Sequence, residues 1–413
     1  MPRFSVLVPT RDRPDLLGFC LEAIAQQTLP DVEVIVADNP VQAAAGDVFE
    51  RWRKETWKYV RAPEPLTMHD NWEHGLEHAT GDFVAVVIDK TILHPTALEV
   101  ADRALADDPS ADLVSWWNDP YNPADEIGEV GNGVLVPTPE THDVERFDPV
   151  SELRRMFSLE KRRGTDGFHY YRGKIVFGAY SRGLLARIRD ACGRVFYPLN
   201  PDYTSRIPAL ALTRGAIDLG RPLLVSYHSR RSNGRRAADS ASYARSFVLD
   251  AQPEAIQNLP IANLYASQHN VVAYDYVESA GRLAQTWLPE LDRENLVRRA
   301  REDLELIGWD SPDERDEQYA ILEAEEARLG VTYAEPEEPP VEAPAPTPWT
   351  ARRAIHALLR RVPPAERAAR WALNRPVPPP PEPPPPPPSY ASPVEAAFAA
   401  DELYTSVASR GAP

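Results

Sequence analysis

Three short apolar, β-branched runs at residues 4–8, 32–37 and 82–88 alternate with stretches of helical periodicity, and each run ends on polar residues. Nothing else in the chain restricts its fold as strongly. The first run, FSVLV, is closed by Pro9-Thr10, and Arg13-Pro14-Asp15 then opens a helix with Leu16, Leu17, Cys20, Leu21 and Ile24 on its apolar face. The second run ends on Asp38-Asn39. Asn71, Gly75, Leu76 and Ala79 recur at three- and four-residue steps, which predicts a further helix with Gly81 as its C-terminal cap. Residues 82–88 are apolar after Asp82, as in a strand buried on both faces, and they end on Asp89-Lys90. Strand, helix, strand, helix, strand in this order predicts right-handed βαβ units: an α/β fold with a mainly parallel central sheet and helices on both faces.

In open α/β sheets ligands sit beyond the carboxyl ends of the strands. The three ends here carry Thr10-Arg11-Asp12, Asp38-Asn39 and Asp89-Lys90. Each set also suits a helix cap or a turn, but three at one sheet edge make a candidate site.

The segments FSVLVPTRDRPDLLGFCLEAIAQQ, VEVIVADN and NWEHGLEHATGDFVAVVIDKTILHP resemble the inverting family 2 glycosyltransferases of the GT-A (Rossmann-like) fold. The likeness is strong from residue 3 to about 105 and weaker over 165–240. It implies that Pro9, Thr10 and Arg11 line a nucleobase pocket, that Asp38 accepts a hydrogen bond from the base, usually uracil, and that Asp89 faces the ribose or diphosphate. Asn39 and Asn71 join this donor-binding set. Counting back from Pro95, Lys90 stands where the family's usual metal ligand would be, so the DxD motif is degenerate. An ammonium cannot ligate a metal, but it can neutralise a diphosphate. Three readings follow: a site needing no cofactor, in which Lys90 and arginines replace the cation; a site that no longer turns over; and a weak Mg or Mn site built on Asp89 and Thr91.

Residues 171–181 read as a glycine-interrupted strand and turn, and residues 195–205 as a strand delivering Asp202 into a helix. Asp202 is either that helix's N-cap or, by the resemblance, the general base that inverting transfer needs in line with the departing diphosphate. After residues 222–225, the segment SYHSRRSNGRR places Arg230, Arg231 and Arg235 near His228. It reads as a mobile basic loop, either solvated or closing as a lid on an anionic donor. His228 itself suits a hydrogen-bonded structural role.

Proline occupies 43 of 413 positions and crowds the C-terminal part, so the folded portion is expected to end near residue 333. The expected organisation is a GT-A domain over 1–245, with donor half 1–110 and acceptor half 111–245. A helical appendage follows over 246–333, then a proline-rich linker over 334–348 and a basic amphipathic segment over 349–375. A disordered proline-rich tail over 376–413 ends in a short helix that suits a partner-binding motif. The net charge of −17 argues against nucleic-acid binding. Two cysteines, Cys20 and Cys192, form no disulfide framework, and neither a signal peptide nor a 20-residue apolar span is seen, which points to the cytoplasm. Residues 349–375 mix arginines with apolar residues and offer a peripheral contact with the inner membrane face or with protein.

The expected activity is transfer of a sugar from a nucleotide-diphosphate donor, UDP-sugar by the resemblance, to a hydroxyl of a glycan, a lipid-linked or a small-molecule acceptor. The alternative is an inactive nucleotide-sugar-binding or scaffold protein, kept open by Lys90.

Overall fold

The computed structural model describes residues 2–124, 131–138, 142–160, 171–283, 285, 287–332 and 388–410. The expected linker, the basic segment 349–375 and the longest proline run lie outside the described residues. Eleven strands form one sheet: β1 (Phe4–Thr10), β2 (Glu33–Asp38), β3 (Trp57–Val60), β4 (Phe83–Val86), β5 (Thr91–Leu93), β6 (Leu113–Pro123), β7 (Gly133–Leu135), β8 (Glu145–Arg146), β9 (Gly178–Ser181), β10 (Ala216–Tyr227) and β11 (Ser389–Tyr390). The main path runs β11-β7-β6-β9-β4-β1-β2-β3, with β10 joined to β5, β6 and β8. The pairs β1/β2, β1/β4, β2/β3 and β6/β10 are parallel, as the alternation predicts. The antiparallel β9 enters between β4 and β6, which makes the sheet mixed.

Each face of the sheet carries its own apolar core. On one, the helix Pro14–Ala25 buries Leu16, Leu17, Cys20, Leu21 and Ile24, the positions its periodicity predicts, beside the helix Ala97–Asp107. On the other, the helices Met68–Leu76, Pro149–Ser158, Arg182–Cys192 and Arg206–Leu212 pack with Trp72, Phe157, Ile188 and Ile207. The appendage helices Gln268–Arg282, Arg293–Leu306 and Pro312–Leu329 extend this second side, and the first of them brings Tyr276 against Phe157.

Three local expectations are corrected. Gly81 is not a helix cap: the helix ends at Glu77, and a Cβ on Gly81 would lie 2.6 Å from the Ser5 backbone nitrogen, so glycine is required for close passage of two chains. Residues 195–199 form no strand. The amides of Val195 and Phe196 donate to Glu73 Oε2 at 3.0 Å and 3.0 Å, and that of Leu199 donates to Asp275 Oδ1 at 2.6 Å. Side-chain carboxylates thus satisfy these amides in place of a ladder.

The third correction concerns the C-terminus. The helix Pro393–Arg410 does not project as a tail; it lies on the sheet's first face and buries Val394, Ala396, Ala397, Ala400 and Tyr404 in the same core as Leu21, Ile92 and Tyr227. Just ahead of it, β11 pairs with β7. The Tyr404 hydroxyl donates to both oxygens of Asp119, at 2.9 and 3.1 Å. No described helix is long and apolar enough to cross a membrane.

Candidate active site

Because β1 lies between β2 and β4, with Thr10 opposite Asp38 in register, the polar ends of all three meet at one edge of the sheet. There the Thr10 hydroxyl donates to Asp89 Oδ2 at 2.8 Å, and Arg13 Nε lies 3.0 Å from the same oxygen. Burial raises the Asp89 pKa above its ordinary value, against the pull of Arg13, Thr10 and Lys90. Lys90 is half-buried, and burial followed by the Arg13 charge lowers its pKa, while Asp89 and Asp202 act in the opposite direction. That influence puts Asp202 within electrostatic reach of Lys90.

The expected base-binding residues are placed around this centre. Pro9 and Thr10 are buried and Arg11 is exposed. Asp12, with φ 55°, accepts the amides of Val41, Gln42 and Ala43 at 2.9, 2.7 and 2.9 Å, tying the loop after β1 to the loop after β2. Asp38 accepts the Ala45 amide at 2.9 Å and the Tyr59 hydroxyl on Oδ2. Asn39 spends both ends of its amide on the Leu66 backbone, and Asn71 Nδ2 donates to the Ala37 carbonyl. Three oxygens of this set, Oδ1 of Asp38, Asn71 and Asp89, are buried and have no hydrogen-bond partner among the described residues. Such atoms are costly unless something is to pair with them.

A cavity of ≈ 560 Å³ opens beside Lys90, lined also by Asn122, His228, Ser229, Arg230 and Arg235. Its walls are fastened together: the Tyr227 amide donates to the Lys90 carbonyl at 2.9 Å, and the His228 ring lies 3.1 Å from Asn122 Oδ1. The basic stretch is more ordered than the expected mobile loop. Ser232 caps the helix Asn233–Asp239, and Arg231 pairs with Asp15 of the first helix at 2.6 Å. Arg235 pairs with Asp239 at 2.9 Å, an exposed i,i+4 pair that a stronger anion can displace.

Asp202 is not the helix cap. Asn200 holds that position in the short helix Pro201–Thr204, and Asp202 lies in its first turn with Oδ2 3.2 Å from Lys174 Nζ. The Lys174 ammonium also sits 3.5 Å from the centre of the Tyr203 ring. Burial disfavours its charge, yet Tyr203 and Asp202 outweigh that and hold its pKa above the ordinary lysine value.

These residues do not fit a divalent cation. One oxygen of Asp89 is taken by Arg13 and Thr10, Lys90 adds a second positive charge, and the Thr91 hydroxyl is turned to the Ile88 carbonyl at 2.7 Å. His142, Glu145 and Asp218 bring potential ligand atoms within 4.8 Å of one another, but the Arg172 guanidinium bonds both carboxylates and already supplies the positive charge there.

Sequence reasoning missed Arg13, Lys174, Asn122 and Asp275 as parts of the site. Arg13 carried a signal, since it follows the first strand end directly, but it was read only as the start of a helix. The other three reach the site through tertiary packing.

Residues 5–126 match the family model "Glycosyl transferase family 2". The chain is 30% identical over 106 residues to the GalNAc(5)-diNAcBac-PP-undecaprenol beta-1,3-glucosyltransferase of Campylobacter jejuni, a match covering 24% of this chain. It spans about a third of that relative's length, 33%. Among solved structures, S. aureus TarS 1-349 in complex with UDP-GlcNAc is 14% identical with a TM-score of 0.44, the match covering 81% of this chain and 93% of that one. Mannosyltransferase PcManGT from Pyrobaculum calidifontis, in complex with GDP-Man and Mn2+, is 17% identical with a TM-score of 0.39, covering 97% and 86%. At such TM-scores these two likenesses bear on no residue of this chain. The stretch that matches glycosyl transferase family 2, residues 5–126, holds Asp38, Asp89 and Lys90 and is similar to that family over less than half of the chain.

Proposed function

We propose that this protein transfers a sugar from a nucleotide-diphosphate donor, a UDP-sugar, to an acceptor hydroxyl with inversion and without a bound metal. The observation that carries this reading is the pairing of two cations, Arg13 and Lys90, around the single carboxylate of Asp89 at the edge of a cavity, with a second carboxylate, Asp202, in reach of Lys90. The diphosphate lies against Lys90 and Arg13, joined by Arg230 and Arg235 that line the same cavity as Lys90, and these charges stabilise the departing nucleotide. Asp89 acts through Arg13, which it holds in place. Asp38 offers its unpaired Oδ1 to the base.

Asp202 takes the proton of the attacking hydroxyl. Lys174, with its Nζ 3.2 Å from Asp202 Oδ2, orients that carboxylate. The relative's printed name, a glucosyltransferase whose acceptor carries a PP-undecaprenol group, supports glucose as a donor sugar to try first and a lipid-linked diphosphate as an acceptor class.

The test is titration of the purified chain with UDP, UDP-glucose, UDP-GlcNAc and GDP-mannose, together with release of nucleotide from each sugar donor with and without acceptors. Asp202→Asn is expected to lower turnover by about 100-fold or more with donor affinity unchanged. Near-normal turnover in that variant would leave Asp202 as the structural partner of Lys174. Donor binding by the parent with no turnover on any acceptor would favour the scaffold reading.

A further inference from the structure

Asp202 sits on a helix of only four residues, Pro201–Thr204, preceded by a stretch with no ladder partners. Such a short element cannot fix a side chain by itself, since a single turn has few internal hydrogen bonds. What fixes it comes from a residue far along the chain. Asp275, in the appendage helix Gln268–Arg282, is fully buried and points both carboxylate oxygens at the two residues that lead into the turn. Its Oδ1 accepts the Leu199 amide at 2.6 Å, and its Oδ2 accepts the Asn200 amide at 3.2 Å and the Asn200 side-chain amide at 2.8 Å. Asn200 is also the N-cap of the turn that carries Asp202.

We infer that Asp275 is a positioning residue for the transfer reaction: it anchors the 199–200 segment to the helical appendage and so sets where Asp202 meets the acceptor. This inference rests on the reading of Asp202 as the general base. It also gives the appendage a task in catalysis.

The hydrogen bonds decide which residue can stand here. All three neighbours are donors, so the site calls for an acceptor on both oxygens, which an aspartate supplies and an asparagine does not. The carboxylate is kept there although burial, and then the nearby Asp202 charge, push its pKa up to about 8 against the pull of its hydrogen bonds. A fold needing only to fill this space would be served by an apolar side chain and a differently turned loop. Keeping a carboxyl group that burial disfavours beside a second carboxylate has a use when the spacing between the two matters to the reaction.

The experiment measures nucleotide release from UDP-glucose and UDP-GlcNAc by the full chain, as kcat and donor KM, for Asp275→Asn, Asn200→Ala, Asp202→Asn and the double variant Asp275→Asn/Asp202→Asn. Melting curves identify any variant that fails to fold. Asp275→Asn is expected to lower kcat at least 10-fold with donor KM within 2-fold of the parent. Asn200→Ala, which removes one of three bonds and keeps the Asp275 carboxyl group, should lower kcat by a smaller factor in the same direction, and it carries the test if Asp275→Asn does not fold. The double variant should be no slower than Asp202→Asn alone, because a positioning residue has no effect once the group it positions is gone. Losses that multiply in the double variant, or a folded Asn200→Ala with parental kcat, would overturn the inference while leaving Asp202 in place. Parental turnover in Asp202→Asn would instead overturn the reading on which it rests.

Discussion

Truncating Tyr404 tests whether the C-terminal helix is part of the folded enzyme or an appended tail. The ring is 6% exposed, lies nearly parallel to His94 with centroids 6.1 Å apart, and shares a core with residues of the first helix and of β10. Replacing a buried aromatic ring by alanine costs about 3–5 kcal/mol from lost transfer energy and the cavity left behind. The hydroxyl separates out as a second term. It donates to a fully buried carboxylate, Asp119, so Tyr404→Phe removes a charge-assisted bond and should cost about 1–3 kcal/mol without making a cavity. Leu403, next in sequence but 44% exposed, is the control: Leu403→Ala should stay within about 0.5 kcal/mol of the parent. Urea unfolding followed by tryptophan fluorescence reads all three as shifts of the midpoint at constant slope. If Tyr404→Ala and Tyr404→Phe both unfold at the parental midpoint, the helix is not docked in solution and the correction drawn from it fails.

Two further outcomes follow from the charges. Donor binding and turnover should survive EDTA, Lys90→Ala should weaken UDP affinity by about 10-fold or more, and Lys90→Asp should regain it only with manganese added; loss of parental activity on chelation would refute the metal-free site. For Asp119, burial raises the carboxyl pKa to about 6 from an ordinary 3.8, so between these values the folded chain holds a proton that the unfolded chain has released. Its contribution to stability is therefore present below about pH 4 and is lost as the pH rises to about 6, by about 3 kcal/mol at most. The neighbouring His94, whose pKa burial lowers to about 3, stays neutral through this window. Asp119→Asn should flatten that part of the stability profile, and an unchanged pH dependence would show that Asp119 titrates normally.

The donor half was legible because its signals are local. Residues 4–8 and 32–37 are mainly apolar runs, broken only by Ser5 and Glu33, that form β1 and β2, and helical spacing gives the buried face of Pro14–Ala25. The acceptor half was not, because its backbone is held by distant carboxylates. Residues 195–199 look like a strand in composition, yet Glu73 and Asp275, 122 and 76 positions away, take their amides. No periodicity records such partners. The C-terminal helix was underrated for a related reason: three of its five buried apolar positions among the described residues are alanine, which gives little hydrophobic contrast and says nothing about which face packs.

The order of charges at the strand ends argues for a definite division of labour. A carboxylate that bound a metal would need its oxygens unencumbered and its neighbours anionic, whereas Asp89 has Arg13 on one oxygen and Lys90 beside it. Two cations around one carboxylate leave positive charge in excess at that point, in a chain whose net charge is −17. Burial, and then the Arg13 charge, push the Lys90 pKa below its ordinary value. On the proposed function, the donor's diphosphate pairs with both cations and so offsets the cost of burying them together. The same pairing brings the leaving group to Lys90, on which the field of Asp202 also acts, and so joins the two halves of the proposed reaction through one ammonium group.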